Sequence, residues 1–305
     1  MRAGACGKLA LITAFAISVQ GCTETPKARA AEAKAIGAQR LQEMQKRIAA
    51  ADADPSKAIA VAEWIMPSQL REISGLAVTT RGTVLTHDDN MGRVSEIDPR
   101  TGVLLKSFAL SGQQKGDFEA ITIAGQDIYL LESSGKLFKF REGADGTQVA
   151  FTVYDTKLGK ECEFESLTYE ADSSRLLMAC KRILNQAEGK VKELRIYALP
   201  LPLGDRTAMT AMSIPIDEIR GKNKWKNFHP SDMTIDPFNG DYVIIASREK
   251  GYVEITPDGD VVRSEPLPGD HRQPEGVAIT KDSLFLVSDE SNVKPPKITV
   301  YRWRP

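Results

Sequence analysis

The sequence predicts an all-β fold: a five-bladed β-propeller of four-stranded antiparallel blades. Its ring is closed by an N-terminal strand and preceded by a signal peptide and a helical spacer. Three observations carry this prediction. One short phrase recurs five times at near-regular spacing. Each copy is followed by further short apolar runs separated by turn residues. The two ends of the chain are complementary, one lacking a strand and the other holding an orphan run.

The copies are Glu72-Ile73-Ser74-Gly75-Leu76-Ala77-Val78, Asp117-Phe118-Glu119-Ala120-Ile121-Thr122-Ile123, Glu163-Phe164-Glu165-Ser166-Leu167-Thr168-Tyr169, His229-Pro230-Ser231-Asp232-Met233-Thr234-Ile235 and Gln273-Pro274-Glu275-Gly276-Val277-Ala278-Ile279. Their starts lie 45, 46, 66 and 44 residues apart. A period near 45 with a strand at fixed phase is the signature of propeller blades. The longer interval reads as an insertion between Cys180 and His229, placed in 185–192 and 205–227. Both stretches are largely polar and are expected as surface excursions.

After the first phrase come a turn at Thr79–Gly82, a run at Thr83–Thr86, a third run at Arg93–Ile97, the turn Asp98-Pro99-Arg100-Thr101-Gly102 and a fourth run at Val103–Leu110. Four short runs between turn residues make one antiparallel sheet. The second blade repeats this with Ile128–Leu131, Lys136–Phe140 and Val149–Tyr154, and the fourth with Tyr242–Ala246, Tyr252–Ile255 and Val261–Ser264. The fifth phrase is followed by Ser283–Val287 and Ile298–Trp303, and the sequence then reaches Pro305. The missing fourth strand is supplied by Ala58–Ile65, which closes the ring and removes the unpaired edges of an open array.

The predicted organisation is a signal peptide over 1–21, a lipidated Cys22 with an Ala-rich helical spacer over 22–56, and the propeller over 57–305. Arg2 and Lys8 precede a short apolar stretch, Leu9–Val19, and Gly21-Cys22 follows, as in a lipoprotein signal. Val19 and Gln20 depart from the preferred residues of that pattern. Thr23 after the cysteine resembles an outer-membrane address, so the expected location is a membrane anchored through Cys22, facing the periplasm. Residues 27–54 read as a helix with a thin apolar stripe, Ile36, Leu41, Met44 and Ile48.

Lys and Arg number 40 against 41 Asp and Glu, a net charge of −1, and no basic tract points to nucleic acid. Beyond Cys22, Cys162 and Cys180 lie near the same end of one predicted hairpin, so a disulfide between them is expected in an exported protein. CxxC, Gly-rich phosphate loops and a GxSxG elbow are all absent from the sequence.

The start of each first strand lies beside the end of the second, so the phrase residues and the clusters after the second strands converge on one end of the channel. Glu119, Glu165, Asp232 and Glu275, with Glu72, Asp88 and Asp89 standing in for the first blade, form the candidate metal set. Converging carboxylates repel unless a cation or protons neutralise them, and hard oxygens suit calcium. His87, His229 and His271 lie on the same face but lack the spacing of a zinc site. With Lys181, Arg182, Trp225, Arg248 and Asp289 they are the candidate ligand-binding residues. The bland alternatives are strand-capping acids for the metal set and a loop anchor for Trp225.

At this point the phrases "EISGLAV", "THDDN", "EIDPRTG", "DFEAI", "LLESSGKLFKF" and "QPEGVAI" resemble the SdiA-regulated family of bacterial envelope propellers, from about Trp64 to Arg302. The resemblance implies a five-bladed ring distantly like NHL-repeat proteins, with a bound calcium and no established activity. A weaker resemblance is to esterase-like and phytase-like propellers. Two functions follow as expectations. The first is a lipid-anchored periplasmic calcium-binding module for an unidentified small-molecule or protein ligand at the channel face. The second is a metal-dependent hydrolase of phosphate esters or lactones, with Lys181, Arg182 and Arg248 receiving an anionic group.

Overall fold

The structure, a computed structural model, describes residues 26–184, 192–204, 209–290 and 294–304. Cys22, the expected signal segment and most of the first polar stretch of the insertion lie outside the described residues. The chain divides at Ile36/Gly37 into two compact units. Of the first, residues 26–36 are described and are helical. All that follows concerns the second, residues 37–305.

Five four-stranded blades make up this unit. Blade 1 contains β2 (Ile73–Val78), β3 (Val84–Asp88), β4 (Arg93–Asp98) and β5 (Val103–Leu110). Blade 2 contains β6 (Phe118–Ala124), β7 (Asp127–Glu132), β8 (Lys136–Arg141) and β10 (Phe151–Asp155), and blade 3 contains β11 (Cys162–Glu170), β12 (Arg175–Ile183), β13 (Glu193–Pro200) and β14 (Met209–Pro215). Blade 4 is β15 (Pro230–Ile235), β16 (Tyr242–Ala246), β17 (Gly251–Ile255) and β18 (Val261–Pro266). Blade 5 is β19 (Pro274–Ile279), β20 (Leu284–Asp289), β21 (Lys297–Arg302) and β1 (Ala62–Ile65). The N-terminal strand does close the ring: Ala62 pairs with Val300 and Ile65 with Lys297.

The inner strands read as continuous apolar runs because both faces of each blade are buried there, whereas the outer strands β5, β10 and β18 are half-buried or exposed along most of their length. Neighbouring residues of one inner strand enter different blade interfaces. Leu76 packs between blades 5 and 1 with Ala278 and Leu286. Ala77, next to it, packs between blades 1 and 2 with Ile121 and Phe138. Leu167, Met233 and Val277 do the same at the other interfaces. Each interface therefore has its own core cluster.

Three details depart from the sequence reading. The last run of blade 2 is split: β9 (Gln148–Val149) pairs parallel with β5 of blade 1 before β10 joins its own blade. The second part of the insertion is only partly a surface excursion. Within it β14 is the fourth strand of blade 3, and α2 (Ile216–Arg220) buries Ile216 and Ile219. The helix α1 (Pro26–Ala53) is also more than a spacer over its second half, within the second unit. Met44 and Ala51 are buried, and Ile48 packs with the same cluster beside β1 and β21. Arg40 donates to Thr101 O at 2.9 Å, and Arg302 pairs with Asp52 at 2.9 Å. A thin stripe suffices because Ala and Met let the helix lie close to the strands. No described helix is long and apolar enough to cross a membrane.

Candidate functional site

Every copy of the recurring phrase folds into a β-bulge. In blade 2 Phe118 pairs with Glu132 and Ala120 with Leu131, leaving Glu119 without an opposite number. Glu165, Ser231 and Glu275 are the corresponding extra residues of blades 3, 4 and 5. In blade 1 Ser74 and Gly75 lie between the pairs Ile73–Asp88 and Leu76–Thr86. A bulge breaks the ladder and re-aims one side chain. Five bulges in phase thus set a ring of Ser74, Glu119, Glu165, Ser231 and Glu275 at the start of the inner strands.

The bulges correct the proposed metal row. Asp232 lies one residue beyond the ring position, and its side chain turns into the interior. It is fully buried, and its Oδ2 accepts the N–H of Leu76 (3.2 Å, blade 1) and of Val277 (2.8 Å, blade 5). Its Oδ1 has no hydrogen-bond partner among the described residues. Burial holds its carboxyl well above the usual range, against the backbone N–H groups that favour the anion. Equivalent positions in the other blades are Gly75, Ala120, Ser166 and Gly276. A β-carbon on Gly276 would fall 2.5 Å from Ser74 O. The inner strands approach closely at this level, and the Asp232 carboxyl bridges them.

The remaining ring carboxylates have different partners. Glu165 is buried and paired with the Lys181 ammonium, itself the unpaired residue opposite the blade 3 bulge. Glu275 accepts from Ser247 Oγ at 3.0 Å, and burial, followed by Glu290, pushes its carboxyl up to about 7. Glu119 is pushed up to about 8, by burial first and then by Asp117. Lys181 works against both shifts, as the cation that faces several of these acids. The serines of the ring bond to backbone: Ser74 Oγ to Glu119 O at 3.3 Å and Ser231 Oγ to Pro274 O at 2.8 Å.

Among the described residues, three acids meet where blade 5 adjoins blade 1. Oxygens of Glu72, Asp89 and Glu290 fall within 4.8 Å of one another. Glu72 opens the first phrase, Asp89 follows β3 and Glu290 follows β20. The loop is held in place by Asp89 N–H donating to Glu72 O at 3.1 Å and Phe118 N–H donating to Asp89 O at 2.6 Å. Asp89 is pushed up to about 7 by burial and then by Glu72 and Glu290, and Glu290 is raised by burial and then by Glu72. Asp88, also raised by burial, turns to the backbone N–H of Asn90 instead. Glu290 was absent from the expected metal set. It stands one residue past the end of a second strand, as Asp89 does in blade 1, and that correspondence was the available signal.

The histidines are internal struts. His87 is buried, with Nε2 accepting from Gly75 N–H at 3.2 Å, and desolvation lowers it to about 4, so it is neutral. His271 is buried between Asp289 Oδ2 (2.7 Å) and Tyr301 Oη (3.0 Å). Asp289 Oδ1 in turn accepts the N–H groups of Arg272 and Gln273. His229 lies against Glu249 Oε1 at 2.9 Å and Asn227 at 3.3 Å. Arg182 is exposed and pairs with Glu163, and Arg248 is exposed after β16. Trp225 packs over Gly251, where a β-carbon would come within 2.0 Å of its ring, and tilts against Phe228 at 5.7 Å. Its contacts are those of a loop anchor. Cys162 and Cys180 are joined by a disulfide with Cα atoms 5.7 Å apart.

Fold and site together define a five-bladed propeller with an acidic, bulge-built channel mouth. The resemblance read from the phrases is borne out, since the model of the SdiA-regulated family matches residues 213–302. No curated protein matches significantly. Among solved structures, the PQQ-bound aldose sugar dehydrogenase of Streptomyces coelicolor is similar at 12% identity and a TM-score of 0.52, over 81% of this chain and 98% of that one. The glutaminyl cyclase of Myxococcus xanthus is similar at 14% identity and a TM-score of 0.51, over 81% and 97%. At such identities these likenesses concern the fold alone.

Proposed function

We propose that the protein is an exported, lipid-anchored binding or scaffold module whose acidic mouth takes one calcium ion. The observation that carries the reading is the meeting of Glu72, Asp89 and Glu290. Three carboxylates with oxygens within 4.8 Å raise one another's proton affinity, and a divalent cation relieves that crowding. All the donors are hard oxygens, the set that suits calcium. Glu72, Asp89 and Glu290 would hold the ion, which would neutralise the mouth and tie blade 5 to blade 1. Anchoring through Cys22, on the periplasmic side and in the outer membrane, rests on the N-terminal sequence pattern. The ligand of the module is a small molecule or protein that meets this face.

No specific observation favours the hydrolase alternative. Lys181 and Arg182, offered for an anionic substrate, are engaged by Glu165 and Glu163.

Calorimetric titration of the soluble domain with calcium tests the proposal. Binding is expected to raise the melting temperature with the logarithm of calcium concentration. Asp89→Asn and Glu290→Gln should weaken binding at least tenfold, and Glu165→Gln should leave it within about twofold, since truncating a true ligand group costs about 1.4 kcal/mol or more. Failure of the unmodified domain to bind, or equal loss in all three variants, overturns the assignment.

A further inference from the structure

The other end of the channel holds a cavity of about 620 Å³. That volume is within the range of small-molecule sites. It opens where the inner strands finish, and Leu76 and Met233, neighbours of the buried Asp232 bridge, line it. No bulge disturbs the strands here, so the phrase ends in regular alternation. Val78, Ile123, Ile235 and Ile279 give apolar walls from four blades.

Two observations point to an occupant. Thr122 and Thr168 are 6% and 7% exposed and line the cavity, yet their hydroxyls have no hydrogen-bond partner among the described residues. Within the cavity these hydroxyls meet no partner from the described residues, and a bound polar atom would supply one. The second observation is charge. At the rim Arg100 is paired with Asp282 at 2.8 Å, and Arg81 with Glu96 and Glu142 at 2.7 Å each. Lys106 joins that second group at Glu96 and Glu142. Lys281, also at the rim, has no ion-pair partner among the described residues. The rim thus presents one uncompensated positive charge above apolar walls and unmet hydroxyls.

We propose that this cavity binds a small amphiphile with a single carboxylate head. Its chain lies against the isoleucine and valine walls, and its head meets Lys281 with the threonine hydroxyls donating to it. A dianion has no second free cation, and an apolar molecule leaves the hydroxyls unmet. The site is separate from the acidic mouth and does not rest on calcium.

Titration of the full soluble domain with octanoate, and with octanol as the neutral arm, tests this. Octanoate is expected to bind at least tenfold more tightly than octanol. Lys281→Gln should bring octanoate to the affinity of octanol, and Thr168→Val should weaken it severalfold. Asp89→Asn should leave octanoate binding unchanged. Ile123→Arg, which fills the cavity, should abolish binding of both. A melting curve reports whether that variant folds, and Lys281→Gln serves where it does not. Absence of octanoate binding overturns the site. Octanol binding as tightly as octanoate, or indifference to both Lys281→Gln and Thr168→Val, overturns the carboxylate assignment.

Discussion

The two mouths of one channel are made from the two ends of the same five strands, and they differ in almost every respect. At the strand starts, bulges turn acidic side chains outward, and Glu119, Glu275 and Asp89 are all raised toward neutral pH. At the strand ends the ladder is regular, and valine, isoleucine and threonine line a cavity with a mildly basic rim. Between them the Asp232 carboxyl ties blade 4 to blades 1 and 5. The difference teaches that one extra residue per strand is enough to convert an apolar repeat into a polar site. Removing residues from the ladder frees their side chains, and placing five such breaks in phase makes those side chains converge.

The sharpest way to break the contrast is to remove what lies between the mouths. Asp232→Ala leaves the N–H groups of Leu76 and Val277 buried without an acceptor. At about 1–3 kcal/mol for each such group, a loss of about 2–6 kcal/mol is expected in chemical denaturation. Asp232→Asn keeps an acceptor and should lose far less. Equal losses for the two would mean that charge, and not hydrogen bonding, fixes the bridge.

A smaller effect separates the mouths by pH. Asp89 and Glu275 are raised to about 7 and Glu119 to about 8 in the folded state. A group raised on folding favours the native state fully below its unfolded pKa, and that contribution is lost as pH rises through the folded value. Without calcium, the melting temperature should therefore fall as pH rises from about 4 to about 8, the unfolded carboxyls titrating near 4. Saturating calcium should flatten the decline, and Asp89→Asn should reduce its slope. A melting temperature that is level across that range without calcium would remove the picture of crowded acids.

The smallest expected effect lies at the other end. Thr168→Val replaces a hydroxyl that has no partner among the described residues by a methyl of similar size. Stability should change by no more than about 0.5 kcal/mol, with a gain more natural than a loss. A loss above about 1 kcal/mol would show that the hydroxyl is bonded in solution and would narrow the difference between the mouths.

Much of this was legible in the residues. The five phrases, their spacing and the orphan strand determined the blade count and the closure, because a repeat that buries both faces of each sheet leaves a periodic apolar record. The convergence of acids on one mouth was legible too, since it follows from strand direction alone. The membership of the site was not. Asp232 reads as one of the row because it is acidic and falls in the phrase. The bulge at Ser231 moves it one place on, and a one-residue slip sends a side chain to another face. Trp225 among lysines reads as a mouth residue, yet Gly251 leaves a flat surface for its ring.

By itself, then, the sequence determined the architecture: five antiparallel blades, their order, the strand that closes them and the acidic character of one channel end. These are properties of periodicity and strand direction, which a linear pattern records. Tertiary structure alone decided which acids meet, that Glu290 joins Glu72 and Asp89, that Lys181 answers Glu165, and that Asp232 bridges three blades from within. Those pairings depend on side-chain directions at five bulges and on contacts between residues as far apart as 76 and 232. No local pattern encodes them, because the closing of the ring is what brings the first blade against the last.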